Sequence, residues 1–162
     1  MSEVKELKKE FPVLFRNCYC GCSAEDGWYD LIRDLCIEIE KIAKEKALTG
    51  NDYPLVAQVK EKFGGLRFYI DGGCQEIYDA IDAAEKKSGT ICEFCGQPAE
   101  TKSTFSGWLK CICNVCEEKV NSKERADHEE YLAMKSKKQR PVISVEDAKN
   151  MDCPFPDSGK NI

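Results

Sequence analysis

Two cysteine pairs constrain the fold of this chain more than any other feature of its sequence. Cys92 and Cys95 form one CxxC pair, Cys113 and Cys116 form a second, and seventeen residues separate the pairs. A CxxC turn lets two thiolates converge on one metal ion, and two such turns complete the tetrahedral four-thiolate shell that Zn2+ prefers. The spacing therefore predicts one structural zinc site with these four cysteines as its ligands.

The residues around the two pairs indicate the kind of zinc site. Gly96 follows the first pair, where a tight turn needs a residue that tolerates positive φ. The second pair runs into a segment typical of a helix. A turn, a short hairpin and a helix that carries two ligands together predict a treble-clef-like zinc finger over residues 89–139, with a long C-terminal helix. Trp108 lies just before the third ligand, and we expect it to cover the metal site, while Cys111 is a spare thiol.

Composition narrows the class of protein. The chain has 162 residues, of which 42% are hydrophobic and 33% are charged, which allows a core beneath a polar surface. No apolar run approaches the roughly 18 residues that span a membrane, and the N-terminal residues lack the apolar stretch of a signal peptide. With no such signal, the CxxC spacing favours metal in a reducing compartment over a secreted disulfide scaffold. We expect a cytoplasmic protein without a membrane partner, and the net charge of −5 argues against general attraction to nucleic acid.

Residues 1–88 are predicted to form an α+β core made of a helix, a β-hairpin and a second helix. The first helix, 26–47, carries apolar residues at intervals of three and four, and the second covers 75–88. The apolar stripe of the first helix consists of Trp28, Leu31, Leu35, Ile39 and Ile42. We expect Trp28 to be a core anchor, and Ser23 with Asp26 to form a capping box at the helix start.

The predicted hairpin, residues 54–71, carries the candidate ligand-binding surface. Gly64 and Gly65 separate two runs of alternating apolar and polar residues, which is typical of a hairpin. The residues expected on the packed face are Ala57, Val59, Leu66, Phe68 and Ile70. Those expected on the other face include Lys60, Lys62, Arg67 and Tyr69. Cations beside an aromatic ring suit a phosphate, a nucleotide or an acidic protein patch, although an ordinary solvated sheet face has the same pattern.

Two further regions attract attention. Cys18, Cys20 and Cys22 alternate along the chain and could form a second metal site with Cys36 or Cys74. Because CxCxC is a weaker metal spacing than CxxC and no histidine lies nearby, free thiols are the favoured interpretation. Residues 140–162 hold three prolines and few periodic apolar positions, which predicts a loosely ordered tail.

Four strings of the sequence resemble, in this order, a family of small bacteriophage-encoded proteins. They are DGWYDLI (26–32), QVKEKFGGLRFYIDGG (58–73), CEFCG (92–96) and GWLKCICNVC (107–116). The resemblance covers about residues 11–120, and EKFGGLRFY is its most specific part. The family carries no assigned activity, so the resemblance implies an intracellular zinc protein of phage type. This chain departs from the family in its NCYCGC segment and in the longer helix and tail after residue 120.

No catalytic group is indicated. The only histidine, His128, falls in a highly charged predicted helix, and no Ser/His/Asp or Cys/His arrangement can be built around it. A zinc held by four cysteines also has no open position for a catalytic water. The first hypothesis is therefore a non-enzymatic binding protein that acts on a host protein or a small anionic signal through the Lys60, Lys62, Arg67 and Tyr69 face. By analogy with other small phage proteins, it would serve counter-defence or host takeover.

Two alternatives belong to other classes. Treble-clef fingers bind nucleic acid, and the basic string KSKKQR (135–140) would assist such binding, but the chain lacks a continuous basic stripe. The remaining alternative is a virion or assembly component in which zinc is the only cofactor.

Overall fold

The computed structural model of the chain describes residues 3–18 and 21–137. These residues form the predicted α+β fold. The helices are Glu3–Glu10 (α1), Tyr29–Glu45 (α2), Gln75–Ser88 (α3) and Asn114–Lys137 (α4). The strands are Cys22–Ser23 (β1), Leu55–Lys62 (β2), Gly65–Asp71 (β3), Glu100–Ser103 (β4) and Leu109–Ile112 (β5). None of the helices in the described part of the chain is both long and apolar enough to cross a membrane.

The strands form two separate sheets. One has the order β1-β2-β3, with β1 parallel and β3 antiparallel to β2, and the other is the antiparallel pair β4-β5. The chain divides into two compact units, Met1–Ala126 and Asp127–Ile162. The first unit therefore holds both the predicted core, 1–88, and the two cysteine pairs. The predicted tail, 140–162, lies outside the described residues.

The helix predicted over 26–47 begins as a short 3₁₀ turn, Asp26–Trp28, and continues as α2. Its apolar stripe is buried, and Trp28 is the largest fully buried side chain of the core, which confirms it as an anchor. The capping box is wrong, because Ser23 pairs with Lys60 in the sheet and the residue at the N-cap of the 3₁₀ turn is Glu25, whose side chain makes no capping bond. The start of this helix is fixed instead by backbone contacts with the first cysteine turn, described below.

The predicted β2–β3 hairpin is present, and its two-residue turn begins one residue before the glycine pair. Lys62 pairs with Gly65, and the turn residues between them, Phe63 and Gly64, have φ values of +56° and +74°. Positive φ at both central residues is the requirement of a type I′ turn, whose twist matches that of the flanking strands. Gly65 itself is the first residue of β3 rather than part of the turn.

A β-bulge changes the packed face of β2. The register shifts between Val56 and Gln58, so that Val56 pairs with Ile70 while Val59 pairs with Phe68. Ala57 is the extra residue of the bulge, and the two fully buried valines, Val56 and Val59, line the core. The prediction that Ala57 packs inward is therefore wrong. Beyond the bulge the alternation is restored, and Lys60 pairs with Arg67 on the opposite face as predicted.

Helix α3 covers the outer edge of β3. The Leu66 N–H donates to Ser88 Oγ at 2.9 Å, and the Phe68 N–H donates to Glu85 Oε1 at 2.9 Å. An open strand edge exposes unpaired backbone donors, and these side chains satisfy two of them. The helix therefore fixes the strand that carries Arg67 and Tyr69.

Candidate metal centre

The structure brings the four predicted ligands together. The Sγ atoms of Cys92, Cys95, Cys113 and Cys116 all lie within 4.8 Å of one another. The Cys95 and Cys113 sulfurs are 3.6 Å apart, far longer than a disulfide bond of about 2.05 Å, and all four residues are free thiols. Four convergent thiols without a disulfide are a donor set that fits a metal ion with four thiolate ligands.

The first ligand turn is closed by its own backbone. The Cys92 N–H donates to the Gln97 carbonyl oxygen at 2.7 Å, and the Gly96 N–H donates to the Cys92 carbonyl oxygen at 2.9 Å. Gly96 has a φ of +73°, the left-handed conformation that a glycine adopts at little cost. These bonds reverse the chain within six residues and turn both thiols toward the second pair.

The second ligand turn uses the start of α4. Cys113 directly precedes the helix, and the backbone N–H of Cys116 donates a hydrogen bond to its thiol, which lowers the pKa of Cys113 to about 7. Helix N-termini stabilise thiolates in this way, and the thiolate is the form that binds metal. Burial acts in the opposite direction on Cys116 and raises its pKa to about 12. The start of α4 therefore favours the thiolate form of Cys113, which is the form that binds a metal ion.

The segment Gly27–Trp28 holds the first ligand turn against the core. The Gly27 N–H donates to the Glu93 carbonyl oxygen at 2.8 Å, and the Trp28 indole Nε1–H donates to the Ile91 carbonyl oxygen at 2.8 Å. A Cβ atom on Gly27 would lie 2.3 Å from the Cys92 carbonyl oxygen, a distance that no real contact allows. The segment 92–116, which contains the four thiols, is called the metal-binding segment below. Its contacts explain why the string DGWYDLI has a glycine and a tryptophan at these two positions.

The β2–β3 turn contacts the other side of the metal-binding segment. A Cβ atom on Gly64 would lie 2.8 Å from the Thr101 Cγ2 atom and 3.1 Å from the backbone nitrogen of Cys111. Cys111 is fully buried there, outside the four-thiol group, and its carbonyl oxygen accepts the Glu93 N–H at 2.9 Å. The hairpin and the metal-binding segment are therefore packed together backbone to backbone.

A buried ion pair, which the sequence did not reveal, lies beside the ligands. Glu93 is fully buried, and its Oε1 atom accepts a 2.5 Å hydrogen bond from Lys110 Nζ. Burial raises the pKa of Glu93, although its bond to Lys110 opposes the rise. Within the described residues its second oxygen, Oε2, has no hydrogen-bond partner. A charged residue between two cysteines has no periodic pattern, so no sequence signal could have marked it as buried.

The prediction that Trp108 covers the metal is wrong, because the side chain is 68% exposed. The loop before it is fixed to α4 instead. Phe105 N–H donates to Asn121 Oδ1 at 2.7 Å, and Ser106 N–H donates to Glu124 Oε2 at 2.8 Å. These bonds hold the β4–β5 loop on the helix and leave the indole facing solvent.

The remaining cysteines do not assemble a second ligand set in the part of the chain that the structure describes. Cys18, Cys22 and Cys36 are buried free thiols, and Cys20 lies outside the described residues. Burial raises the pKa of Cys22 to about 12 and also raises that of Cys36, which disfavours the thiolate form. Because Cys20 is not described, the prediction that Cys18, Cys20 and Cys22 are free thiols and hold no second metal stays a prediction.

The four residues of the candidate ligand face lie together on the sheet. Lys60 Nζ is 5.1 Å from the centroid of the Tyr69 ring and donates to Gln58 Oε1 at 2.7 Å. Arg67 Nη1 pairs with Glu85 Oε2 at 3.2 Å. Lys62 is exposed, and Tyr69 is 43% exposed. Lys62 Nζ also lies 5.3 Å from the centroid of the Phe63 ring. The face thus combines cations with an accessible ring, although each of its three cations already has an internal contact.

Comparison with known proteins adds no family. The chain matches no protein-family model, no curated protein and no solved structure. The resemblance of residues 11–120 to small bacteriophage proteins stays a prediction.

Proposed function

We propose that the protein is a non-enzymatic, zinc-stabilised binding protein of phage type. It acts in the host cytoplasm on a host protein or a small anionic signal, in counter-defence or host takeover. The observation that carries the proposal is the convergence of four thiols within 4.8 Å, in a segment packed against the hairpin that bears the cationic face. The order of the four phage-like strings supports the assignment of origin.

Zinc is the proposed metal because of donor type and spacing. Four ligands at about 2.3 Å from a tetrahedral zinc ion lie about 3.8 Å from one another. The Cys95 and Cys113 sulfurs, 3.6 Å apart, are close to that separation before any metal is added. A shell of four thiolates is coordinatively closed, so the metal would stabilise the fold and would offer no position to a reacting water.

The proposed role of the metal is to fix the binding surface. Zinc would join the two cysteine turns. The first turn contacts Gly27, just before α2, and strand β5, which leads into the second turn, contacts Gly64 in the hairpin turn. Of the two strands that this turn connects, β2 carries Lys60 and Lys62 and β3 carries Arg67. Metal binding would therefore limit the motion of the cationic face, and a preformed surface binds with a smaller loss of conformational entropy.

The chemistry of the face favours an anionic ligand. The chain carries a net charge of −5, so a local group of three cations stands out from its surroundings. Arg67 uses Nη1 for its bonds to Glu85 and to the Leu66 carbonyl oxygen. A guanidinium has five N–H donors, so others remain for a phosphate or a carboxylate. The Tyr69 ring adds an apolar surface beside these charges.

The experiment compares two charge reversals. Arg67→Glu would place a carboxylate beside Glu85, so Lys60 and Lys62 are the cleaner positions. We expect the variant K60E/K62E to lose the nucleotide or host protein that the wild-type chain retains on purification, with its thermal unfolding within a few degrees of wild type. The control K41E/K44E changes two exposed lysines of α2 and should retain the ligand. Equal retention by both variants would contradict the proposal.

Nucleic-acid binding is the second candidate, favoured by the surface of the metal-binding segment. Trp108 is 68% exposed, and Arg125 lies 4.9 Å from the centroid of the Phe105 ring. Exposed rings beside cations stack on bases of single strands. If this candidate is correct, Trp108→Ala weakens binding of a labelled oligonucleotide, and the affinity falls steeply between 50 and 200 mM salt, as expected for phosphate contacts. Affinity that is insensitive to salt would exclude it.

A further inference from the structure

The turn between β2 and β3 holds an aromatic residue in an unfavourable conformation. Phe63 has a φ of +56°, in the left-handed region that bulky side chains rarely adopt. Type I′ turns favour asparagine or glycine at this position. The Phe63 side chain is 66% exposed, so burial in the core does not offset the unfavourable backbone. Strained residues that are not needed for packing concentrate at functional sites.

The turn around Phe63 is held rigidly. The Gly64 N–H donates to Glu61 Oε1 at 2.7 Å, and Lys62 pairs with Gly65 across the turn. Gly64 is packed so closely against Thr101 that a Cβ atom would not fit between them. The ring is therefore displayed from a fixed position, because the turn packs on Thr101 of β4 and on the backbone of Cys111 in β5.

A surface cavity of about 380 Å3 lies beside this ring. Its lining includes three cations, two carboxylates and one aromatic ring: Lys62, Arg67, Lys86, Asp82, Glu85 and Phe63. Glu85 already accepts bonds from Arg67 and from the Phe68 N–H, which leaves Asp82 as the second carboxylate. The volume falls at the small end of the range for ligand pockets, about 300–1,000 Å3.

We propose that this cavity is a binding site for a nucleoside phosphate. Lys62 Nζ lies over the Phe63 ring, 5.3 Å from its centroid, so the opposite face of the ring supplies the surface for stacking of the base. Lys62, Arg67 and Lys86 meet the phosphate by charge-assisted hydrogen bonds. Asp82 accepts a hydrogen bond from a ribose hydroxyl or a base amino group. The inference rests on the proposed function and names its small anionic ligand, because the cavity shares Lys62 and Arg67 with the cationic face.

The test uses the full chain and a defined panel of probes. The panel contains the four ribonucleoside monophosphates, their 3′,5′-cyclic forms, adenosine and inorganic phosphate, each titrated by calorimetry. We expect at least one nucleotide to bind at least tenfold more tightly than adenosine or phosphate alone. Phe63→Asn suits the turn and removes the ring, so it should raise the melting temperature and lower nucleotide affinity at least tenfold.

Further variants distinguish the effect of losing the Phe63 ring from the effect of relieving its backbone strain. Ala47→Gly relieves another positive φ, +51° at the end of α2, and should raise the melting temperature without changing affinity. Lys86→Gln should weaken nucleotide binding severalfold, whereas Lys44→Gln, on exposed α2 surface, should not.

The outcomes distinguish this site from the broader proposal. Nucleotide binding that survives Phe63→Asn, or the absence of binding by any nucleotide of the panel, would overturn the cavity assignment. The proposed function would still stand in either case if Lys60→Glu alone abolished binding of a host protein, because Lys60 does not line the cavity. Binding lost in Phe63→Asn and Lys86→Gln but kept in Ala47→Gly supports the site.

Discussion

The indole Nε1–H of Trp28 donates a 2.8 Å hydrogen bond to the carbonyl oxygen of Ile91, the residue before the first predicted metal ligand. Sixty-three positions of sequence separate the two residues. The neighbouring Gly27 N–H bonds the Glu93 carbonyl oxygen in the same way, so the start of α2 holds both sides of Cys92. The core and the metal-binding segment are thus connected through the backbone of the ligand turn itself.

Replacing Trp28 with phenylalanine tests this connection. Phenylalanine keeps an aromatic ring but has no N–H, so the Ile91 carbonyl loses its donor in a largely buried position. This loss should lower the free energy of unfolding by about 1–3 kcal/mol, in addition to the effect of the smaller ring. Denaturant unfolding should show that loss. Trp108→Phe is the matched control at the chain's other tryptophan, and because that side chain faces solvent its effect should stay within about 0.5 kcal/mol. Equal effects of the two substitutions would show that the hydrogen bond is unimportant.

Gly27→Ala tests the close approach of α2 to the first ligand turn. The added Cβ would lie 2.3 Å from the Cys92 carbonyl oxygen and 2.7 Å from the Cys95 backbone nitrogen. We expect a loss of several degrees in melting temperature and weaker metal retention against a chelator. Gly89→Ala adds the same methyl group at an ordinary 3.5 Å contact, in an α-helical conformation, and should be neutral or slightly stabilising. A stable Gly27→Ala variant that retains its metal would refute the account.

Removing Lys110 should be costly because it leaves the fully buried Glu93 without its cation. Loss of one partner of a buried pair costs about 3–5 kcal/mol, and partial access of water to the lysine reduces the expectation to about 2–3 kcal/mol for Lys110→Met. The double variant Glu93→Gln/Lys110→Met has no buried charge and should recover more than half of the loss. Unfolding by guanidinium is measured for the wild type, Lys110→Met, Glu93→Gln and the double variant, and additive losses would argue against coupling between the two residues.

Ala47→Gly should stabilise the protein. Ala47 follows the end of α2 with a φ of +51°, and Leu48 N–H bonds the Ala43 carbonyl oxygen at 2.9 Å, as in a Schellman cap. Glycine relieves this conformation and should add about 1 kcal/mol to the free energy of unfolding. The same substitution at the exposed position Ala83, inside α3, should cost about 1 kcal/mol. A loss of stability at both positions would contradict the assignment of the cap.

Local patterns explain why much of the fold could be predicted. The CxxC spacing acts within a few residues of each ligand, and the two glycines at 64 and 65 specify a hairpin wherever the strands lie. The bulge at Ala57 could not be predicted, because a one-residue insertion shifts the alternation without leaving a compositional signal. The exposure of Trp108 likewise depends on hydrogen bonds that the loop before it donates to Asn121 and Glu124, which lie on a different element.

The contacts between the core and the metal-binding segment could not be predicted either, because they join residues that are distant in the sequence. Gly27 and Glu93 are neighbours only in the folded chain, and neither shows a periodic pattern in the sequence. The candidate cavity combines the hairpin turn with the end of α3 and with Thr101 of β4, three separate stretches of sequence. The alternation of the hairpin strands predicts that their cations share one face, but Lys86 lies on a separate helix, so its position beside them has no sequence signal.

Native mass spectrometry of the protein purified from cells, under conditions that retain metal, measures directly whether the four thiols hold a metal ion. We predict one zinc ion per wild-type chain. Cys113→Ser should contain none, because it loses the ligand at the start of α4, whereas Cys74→Ser, outside the four-thiol group, should keep one. A wild-type chain without zinc, or a Cys113→Ser chain that retains it, would contradict the proposal that these four thiols hold the metal on which the binding surface depends.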